Sequence, residues 1–178
     1  MIVYFLRHAS AGERKKDPVR DDRRGLDANG VKQAGDIGRL LARLEVQVEA
    51  VISSPLKRAT QTAAVVANEI GHDGRLQLDA ALRPQANLAD FRDLLGRYAH
   101  LQAILVVGHS PNLRQFLGRL IGDAGHPAEV ELKKGAIAKV EVLPHRSRLQ
   151  WCLSPRIVRA MAGLTLTPHP MEKKSARK

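Results

Sequence analysis

Ile2-Val3-Tyr4-Phe5-Leu6-Arg7-His8 is the stretch from which the fold of this chain is read. Five successive apolar residues, four of them β-branched or aromatic, predict a strand buried on both faces, as in a sheet covered by helices on two sides. The strand ends in a cation beside an imidazole. Two later segments, each with a predicted strand, supply what such a pair needs. Val51-Ile52-Ser53-Ser54-Pro55-Leu56-Lys57-Arg58 brings a second arginine, and Ile104-Leu105-Val106-Val107-Gly108-His109-Ser110 brings a second histidine. Together they describe a pocket for a phosphoryl group with a histidine as nucleophile.

Working outward, strands and helices alternate, which predicts an α/β fold of three layers with a mostly parallel central sheet and helices on both faces. After the first strand comes a polar loop from about Ala9 to Leu26, long enough to be functional or mobile. Asp27 is a good N-cap for a helix to about Leu44, whose Val31, Ala34, Ile37, Leu41 and Leu44 recur at helical spacing. Residues 50–53 form the second predicted strand. Ser54 is expected to cap the next helix, with Pro55 at its first position and Arg58 at its fourth, running to about Ile70. A short strand is expected at 75–79, a helix capped by Asn87, a strand at 103–107, and a helix entered through Gly108-His109-Ser110-Pro111 and ending at Ile121. Two strands near 137–142 and 149–153 and a short helix from Pro155 complete the series. Residues 1–163 are expected to form one domain, and 164–178 a basic, flexible tail carrying Lys173, Lys174, Arg177 and Lys178.

The chain's 178 residues suffice for one sizeable core. No apolar run approaches the roughly 18–20 residues of a membrane span, and the N-terminus lacks the pattern of a secretory signal. A single cysteine, Cys152, excludes an intramolecular disulfide. A cytoplasmic enzyme is the expectation. Lys and Arg outnumber Asp and Glu by 29 to 18, giving +11, which favours anionic partners. Only six aromatic residues are available as stacking platforms, so nucleic acid is not the expected partner. Part of the basic excess lies between Arg14 and Arg24, where six Lys/Arg mingle with Glu13, Asp17, Asp21 and Asp22.

His8, Arg58 and His109 all fall at or just beyond the carboxyl ends of predicted strands, the edge where open α/β sheets bind ligands. Two lead into helix N-termini, whose free N–H groups favour anions. Arginine binds two phosphate oxygens in one plane and keeps its charge. A neutral imidazole nitrogen attacks phosphorus and yields a phosphoramidate that water cleaves readily. The remaining histidines, His72, His100, His126, His145 and His169, have no zinc-site spacing, and neither a metal nor a cofactor is expected. Trp151 and Cys152 read as packing residues.

Arg7-His8-Ala9 resembles the Arg-His-Gly signature of the histidine phosphatase superfamily. Arg24-Gly25-Leu26-Asp27-Ala28-Asn29-Gly30 is similar to the Arg-x-Leu-Thr-x-x-Gly segment of its SixA-type phosphohistidine phosphatases. Ser54-Pro55-Leu56-Lys57-Arg58-Ala59-Thr60-Gln61-Thr62 is similar to their Ser-Pro-x-x-Arg-Ala-x-Gln-Thr motif, and Gly108-His109-Ser110-Pro111 to their final turn. Gly135-Ala136-Ile137-Ala138 and Trp151-Cys152-Leu153-Ser154-Pro155 extend the likeness to about residue 163. The resemblance implies that His8 is the nucleophile, that Arg7, Arg58 and His109 hold the phosphoryl group, and that Arg24 and Ser110 bind substrate beside it.

Two departures stand out. Ala9 replaces glycine, which would be strained if a positive φ were required there. The residues after His109 (Ser110, Pro111 and Asn112) include no acid, whereas many relatives carry a Glu or Asp general acid near the second arginine or histidine. Asp79 and Asp90 have no supporting motif, and Asp17, Asp21 or Asp22 would have to be carried in by the long loop. An alkoxide leaving group needs that proton more than an imidazole does. The expected substrate is therefore phosphohistidine on a partner protein. A phosphomonoesterase for a small metabolite such as a sugar phosphate, and a polyanion-binding module with little turnover, are the alternatives.

Overall fold

A computed structural model of the chain describes residues 1–123, 125–144 and 146–162; the tail expected at 164–178 lies outside the described residues. The strands are β1 (Ile2–Arg7), β2 (Ala50–Ser53), β3 (Gln77–Leu78), β4 (Ala103–Gly108), β5 (Ile137–Val142) and β6 (Ser147–Leu153). They form one sheet in the order β3-β2-β4-β1-β5-β6. β3, β2, β4 and β1 pair in parallel, and β5 pairs antiparallel with both β1 and β6. Only β5 therefore runs against the others, as a mostly parallel sheet requires.

The helices are α1 (Pro18–Asp22), α2 (Ala28–Arg43), α3 (Lys57–Glu69), α4 (Leu88–Arg97), α5 (Asn112–Ile121) and α6 (Pro155–Ala162). Alternation along the strands sends residues to two cores. Tyr4, Leu6, Val51, Leu105 and Val107 pack against Ile37, Leu40 and Leu41 of α2, Ala59, Ala63 and Val66 of α3, and Val158 of α6. Val3, Phe5, Ile52, Ile104 and Val106 pack against Phe91, Leu94 and Leu95 of α4 and Leu113, Phe116 and Leu117 of α5. The three layers follow from that period of two.

This division also places a crevice. The connection leaving β1 crosses one face through α2, whereas the chain leaving β4 enters α5 on the other. β1 and β4 are neighbours, so their helices diverge at a topological switch point, where open sheets bind ligands.

Several boundaries differ from expectation. The long loop is not all irregular: Asp17 accepts from the N–H groups of Val19 and Arg20 and starts α1, with Pro18 first in the helix. Asp27 caps α2 as expected, but Val31 and Leu44 lie on its exposed side. Asn87 caps α4 reciprocally with Asp90, a capping box. α3 starts at Lys57 rather than Pro55, with Leu56 at its N-cap, so Ser54 is not its cap and Arg58 is its second residue rather than its fourth. Asn112 opens α5, after Pro111. Local cap-and-proline patterns favour an earlier start; the Ser54 hydroxyl accepts the Leu56 N–H only at a long 3.4 Å and makes its shorter bond to another partner, described below.

Candidate active site

Register brings the two histidines together. Arg7 pairs with Gly108 across β1 and β4, so His8 and His109 are each the first residue beyond their strands. The His8 N–H donates to the Gly108 carbonyl at 3.0 Å. Their rings lie 4.9 Å apart, centroid to centroid, inclined at 54°. Ser53 pairs with Val107 on the other side of β4, and the Ser54 N–H donates to the Val107 carbonyl at 2.9 Å. Ser54 thus joins the same row, where its Oγ shares a 2.8 Å hydrogen bond with His109 Nε2. That bond uses the hydroxyl that sequence patterning assigned to the α3 cap.

His8 Nδ1 lies 2.8 Å from the Ala9 carbonyl oxygen. A carbonyl only accepts, so Nδ1 carries the ring proton and Nε2 keeps its lone pair. Burial pushes the His8 pKa down to about 3, reinforced by Arg58, Arg7 and Lys134, while the bond to Ala9 opposes the shift. His109 falls to about 2, again chiefly through burial, with His8, Arg58 and Arg7 adding to it. Both rings are neutral at working pH. For both rings desolvation outweighs the cationic neighbours as the cause. Ala9 is fully buried, and Glu45 is the one non-glycine residue with positive φ among the described residues, so alanine sits at position 9 without backbone strain.

The arginines hold their forks with protein oxygens and leave other donors free. Arg7 donates through one terminal nitrogen to the Leu132 carbonyl at 2.8 Å, and Arg58 through one to the Asp21 carbonyl at 2.9 Å. Arg7 Nε, Arg58 Nε and His109 Nδ1 are buried with no hydrogen-bond partner among the described residues. Buried polar atoms rarely stay unpaired; the two arginine Nε–H groups are donors in any state, His109 Nδ1 is a third when the Ser54 hydroxyl donates to Nε2, and such a set suits an anion with several acceptor oxygens. Burial lowers the pKa of both arginines, that of Arg7 further through Arg114 and that of Arg58 through Arg24.

Arg24 stands one layer out. Its Nε donates to Asp21 Oδ1 at 2.9 Å and a terminal nitrogen to the Gly12 carbonyl at 2.8 Å. Asp21 also lies 3.6 Å from Arg58 through Oδ2. The Arg24 hydrogen bond leads in pulling the Asp21 pKa down to about 2. Arg24 thus binds the counter-ion of Arg58. Ser110 is partly exposed in the turn after His109. Lys134 and Arg114, which add to the positive field at His8 and Arg7, have no motif to announce them; Ser54 and Thr62 lie within one that does.

No group of three or more His, Cys, Asp or Glu side chains that could hold a metal ion occurs among the described residues, and no described helix is long and apolar enough to cross a membrane.

Residues 3–88 match the histidine phosphatase superfamily (branch 1). An uncharacterized protein of Picosynechococcus sp. is 33% identical over 141 residues, 77% of this chain and 82% of that one. Among solved structures, the putative phosphohistidine phosphatase SixA from Agrobacterium tumefaciens is 25% identical, with a TM-score of 0.71 over 86% of this chain and 98% of its own. A protein histidine phosphatase SixA complexed with tungstate shares the fold at 23% identity, with a TM-score of 0.77 over 88% of this chain and 98% of its own. The alpha-ribazole phosphatase from Shigella flexneri does so at 19% identity and 0.68, over 87% and 97%. These likenesses agree with the motif residues gathered at the β1/β4 crevice: this chain belongs to the histidine phosphatase superfamily and has the SixA-type fold.

Proposed function

We propose that this phosphatase works through a phosphohistidine intermediate on His8 and removes phosphoryl groups from phosphohistidine on a partner protein. The observation that carries the substrate is the engagement of four of the five carboxylates that sequence offered as a general acid. Asp21 is held ionised by Arg24 and Arg58 and has no proton to give at neutral pH. Asp17 caps α1, Asp90 closes the box at Asn87, and Asp79 caps the 3-10 turn at Ala80–Leu82 while pairing with Arg97. A phosphate ester needs a proton on its departing oxygen. A phosphorylated imidazole supplies its own, because its distal nitrogen is basic enough to be protonated and the ring leaves neutral.

His8 Nε2 attacks phosphorus in line with the departing group; the new N–P bond forms as the old one breaks. Arg7, Arg58 and His109 Nδ1 hold the equatorial oxygens, offering positive charge and hydrogen bonds where negative charge is shared in the transition state. Water then cleaves the His8–phosphate bond, releasing phosphate and restoring the imidazole. In this reading the arginines supply the charge that a metal would otherwise bring, and the enzyme works in the cytoplasm. The basic segment around α1 steers an acidic partner surface to the crevice.

Asp22 is the observation that favours a small-metabolite monoesterase instead. It is half exposed on α1 and 3.4 Å from Arg83, a pairing loose enough to release. The test is phosphate release from a phosphohistidine-bearing protein and from a panel of monoesters, with His8→Ala as the blank. Faster release from phosphohistidine is expected. Preference for one monoester would move the assignment to a metabolite phosphatase. Tight anion binding without release from either would leave a binding module. Near-normal turnover by His8→Ala would remove the nucleophile.

A further inference from the structure

Residue 9 is gripped from two sides by side chains on two different helices. Thr62 is fully buried on α3, one turn beyond Arg58. Its Oγ1 donates to the Arg58 carbonyl at 2.7 Å, the back-bond a mid-helix threonine commonly makes. That spends its proton, and its oxygen accepts the Ala9 N–H at 3.1 Å. On the other side, the Ser10 N–H donates to Gln33 Oε1 of α2 at 2.9 Å. The Ser10 N–H and the Ala9 carbonyl belong to one planar peptide and point in opposite directions. Fixing one therefore aims the other, and the Ala9 carbonyl is aimed at His8 Nδ1, 2.8 Å away.

We infer that Thr62 and Gln33 are positioning residues that hold Ala9 so that its carbonyl keeps His8 in the Nδ1–H tautomer, leaving Nε2 free to attack. The inference rests on the nucleophile role proposed above. A histidine side chain in water favours the opposite tautomer, with the proton on Nε2, where it would block attack. Because burial holds His8 neutral over the whole working range, tautomer choice rather than ionisation decides whether its lone pair faces the substrate. Neither Thr62 nor Gln33 touches the reacting atoms. α3 thereby links the arginine clamp to the nucleophile through one hydroxyl.

The experiment is nitrogen-15 NMR of the His8 ring at neutral pH, combined with steady-state kinetics, on Thr62→Val, Thr62→Ser and Gln33→Leu. Wild type and Thr62→Ser should show Nδ1 protonated and Nε2 unprotonated, with similar kcat. Thr62→Val and Gln33→Leu should each show a population with the proton on Nε2, and kcat lower by about 10- to 100-fold, the range of general positioning effects, with KM within about threefold. A Thr62→Val protein whose His8 stays wholly Nδ1–H overturns the inference, as does a Thr62→Ser protein that loses as much activity as Thr62→Val. Gln33→Leu, on a different helix, carries the same test if the buried valine prevents folding. The ring spectrum does not depend on turnover, so loss of the nucleophile role itself shows separately, as full activity in His8→Ala.

Discussion

At the scale of single residues, the site is governed by what burial does to charge. Arg58 is 5% exposed and holds its guanidinium between the crevice and Asp21, with Nε left over. A buried cation with a spare donor is worth most when an anion arrives and negative charge is shared over its oxygens. Arg58→Ala should therefore lower kcat/KM by about 100- to 1,000-fold, equivalent to about 3–4 kcal/mol. Kinetics with any substrate that turns over measure this, and unchanged values would take Arg58 out of the site. His8, Arg58 and His109 were legible as candidates because each follows a strand and belongs to a family-like motif. The Ser54 bond to His109 was not: a serine before a proline reads locally as a helix cap, and only β2 lying beside β4 offers it an imidazole.

At the scale of elements, α1 and the segment around it depend on one carboxylate. Asp21 binds Arg24 by a hydrogen bond, stands by Arg58, and accepts the Lys15 N–H at 3.0 Å. A five-residue helix with no buried residue has too little apolar contact to hold itself in place. Asp21→Ala should speed amide exchange across residues 14–24 markedly while leaving β1 and β4 protected, as read by hydrogen–deuterium exchange mass spectrometry. Equal protection in both proteins would mean that other contacts fix the segment. The sign of the pH effect follows from the depressed carboxyl. The Asp21 anchorage is complete above the ordinary aspartate range near 4 and is lost as pH falls towards 2. Sequence showed this stretch as a long polar loop. The Asp17-Pro18 start of α1 was readable locally, but five residues leave no room for an amphipathic repeat, and it is tertiary charge pairing that holds the helix in place.

At the scale of the whole molecule, two neutral histidines buried at the sheet edge tie stability to pH. Unfolded, each takes up a proton near pH 6.5; folded, they resist until about 3 and about 2. The unfolded state therefore binds more protons below neutrality, so stability rises with pH there. Denaturant titrations should show wild type losing up to about 1.4 kcal/mol per pH unit per histidine as pH falls below about 6. A variant carrying His109→Gln should show a visibly shallower loss, and an identical slope would mean that His109 titrates freely in the folded protein. The layered α/β architecture and the candidate residues of the site were set by the sequence alone, through apolar runs, helical spacing and motif residues at strand ends, all of them local signals. What the tertiary structure decided was which strands lie side by side. Register between β1 and β4 sets the two imidazoles 4.9 Å apart, and the crossing of α2 and α3 over one face clamps Ala9 from both sides. Burial at that junction, which no local pattern encodes, keeps both rings neutral and leaves three buried nitrogens, Arg7 Nε, Arg58 Nε and His109 Nδ1, turned towards an incoming anion rather than paired within the protein.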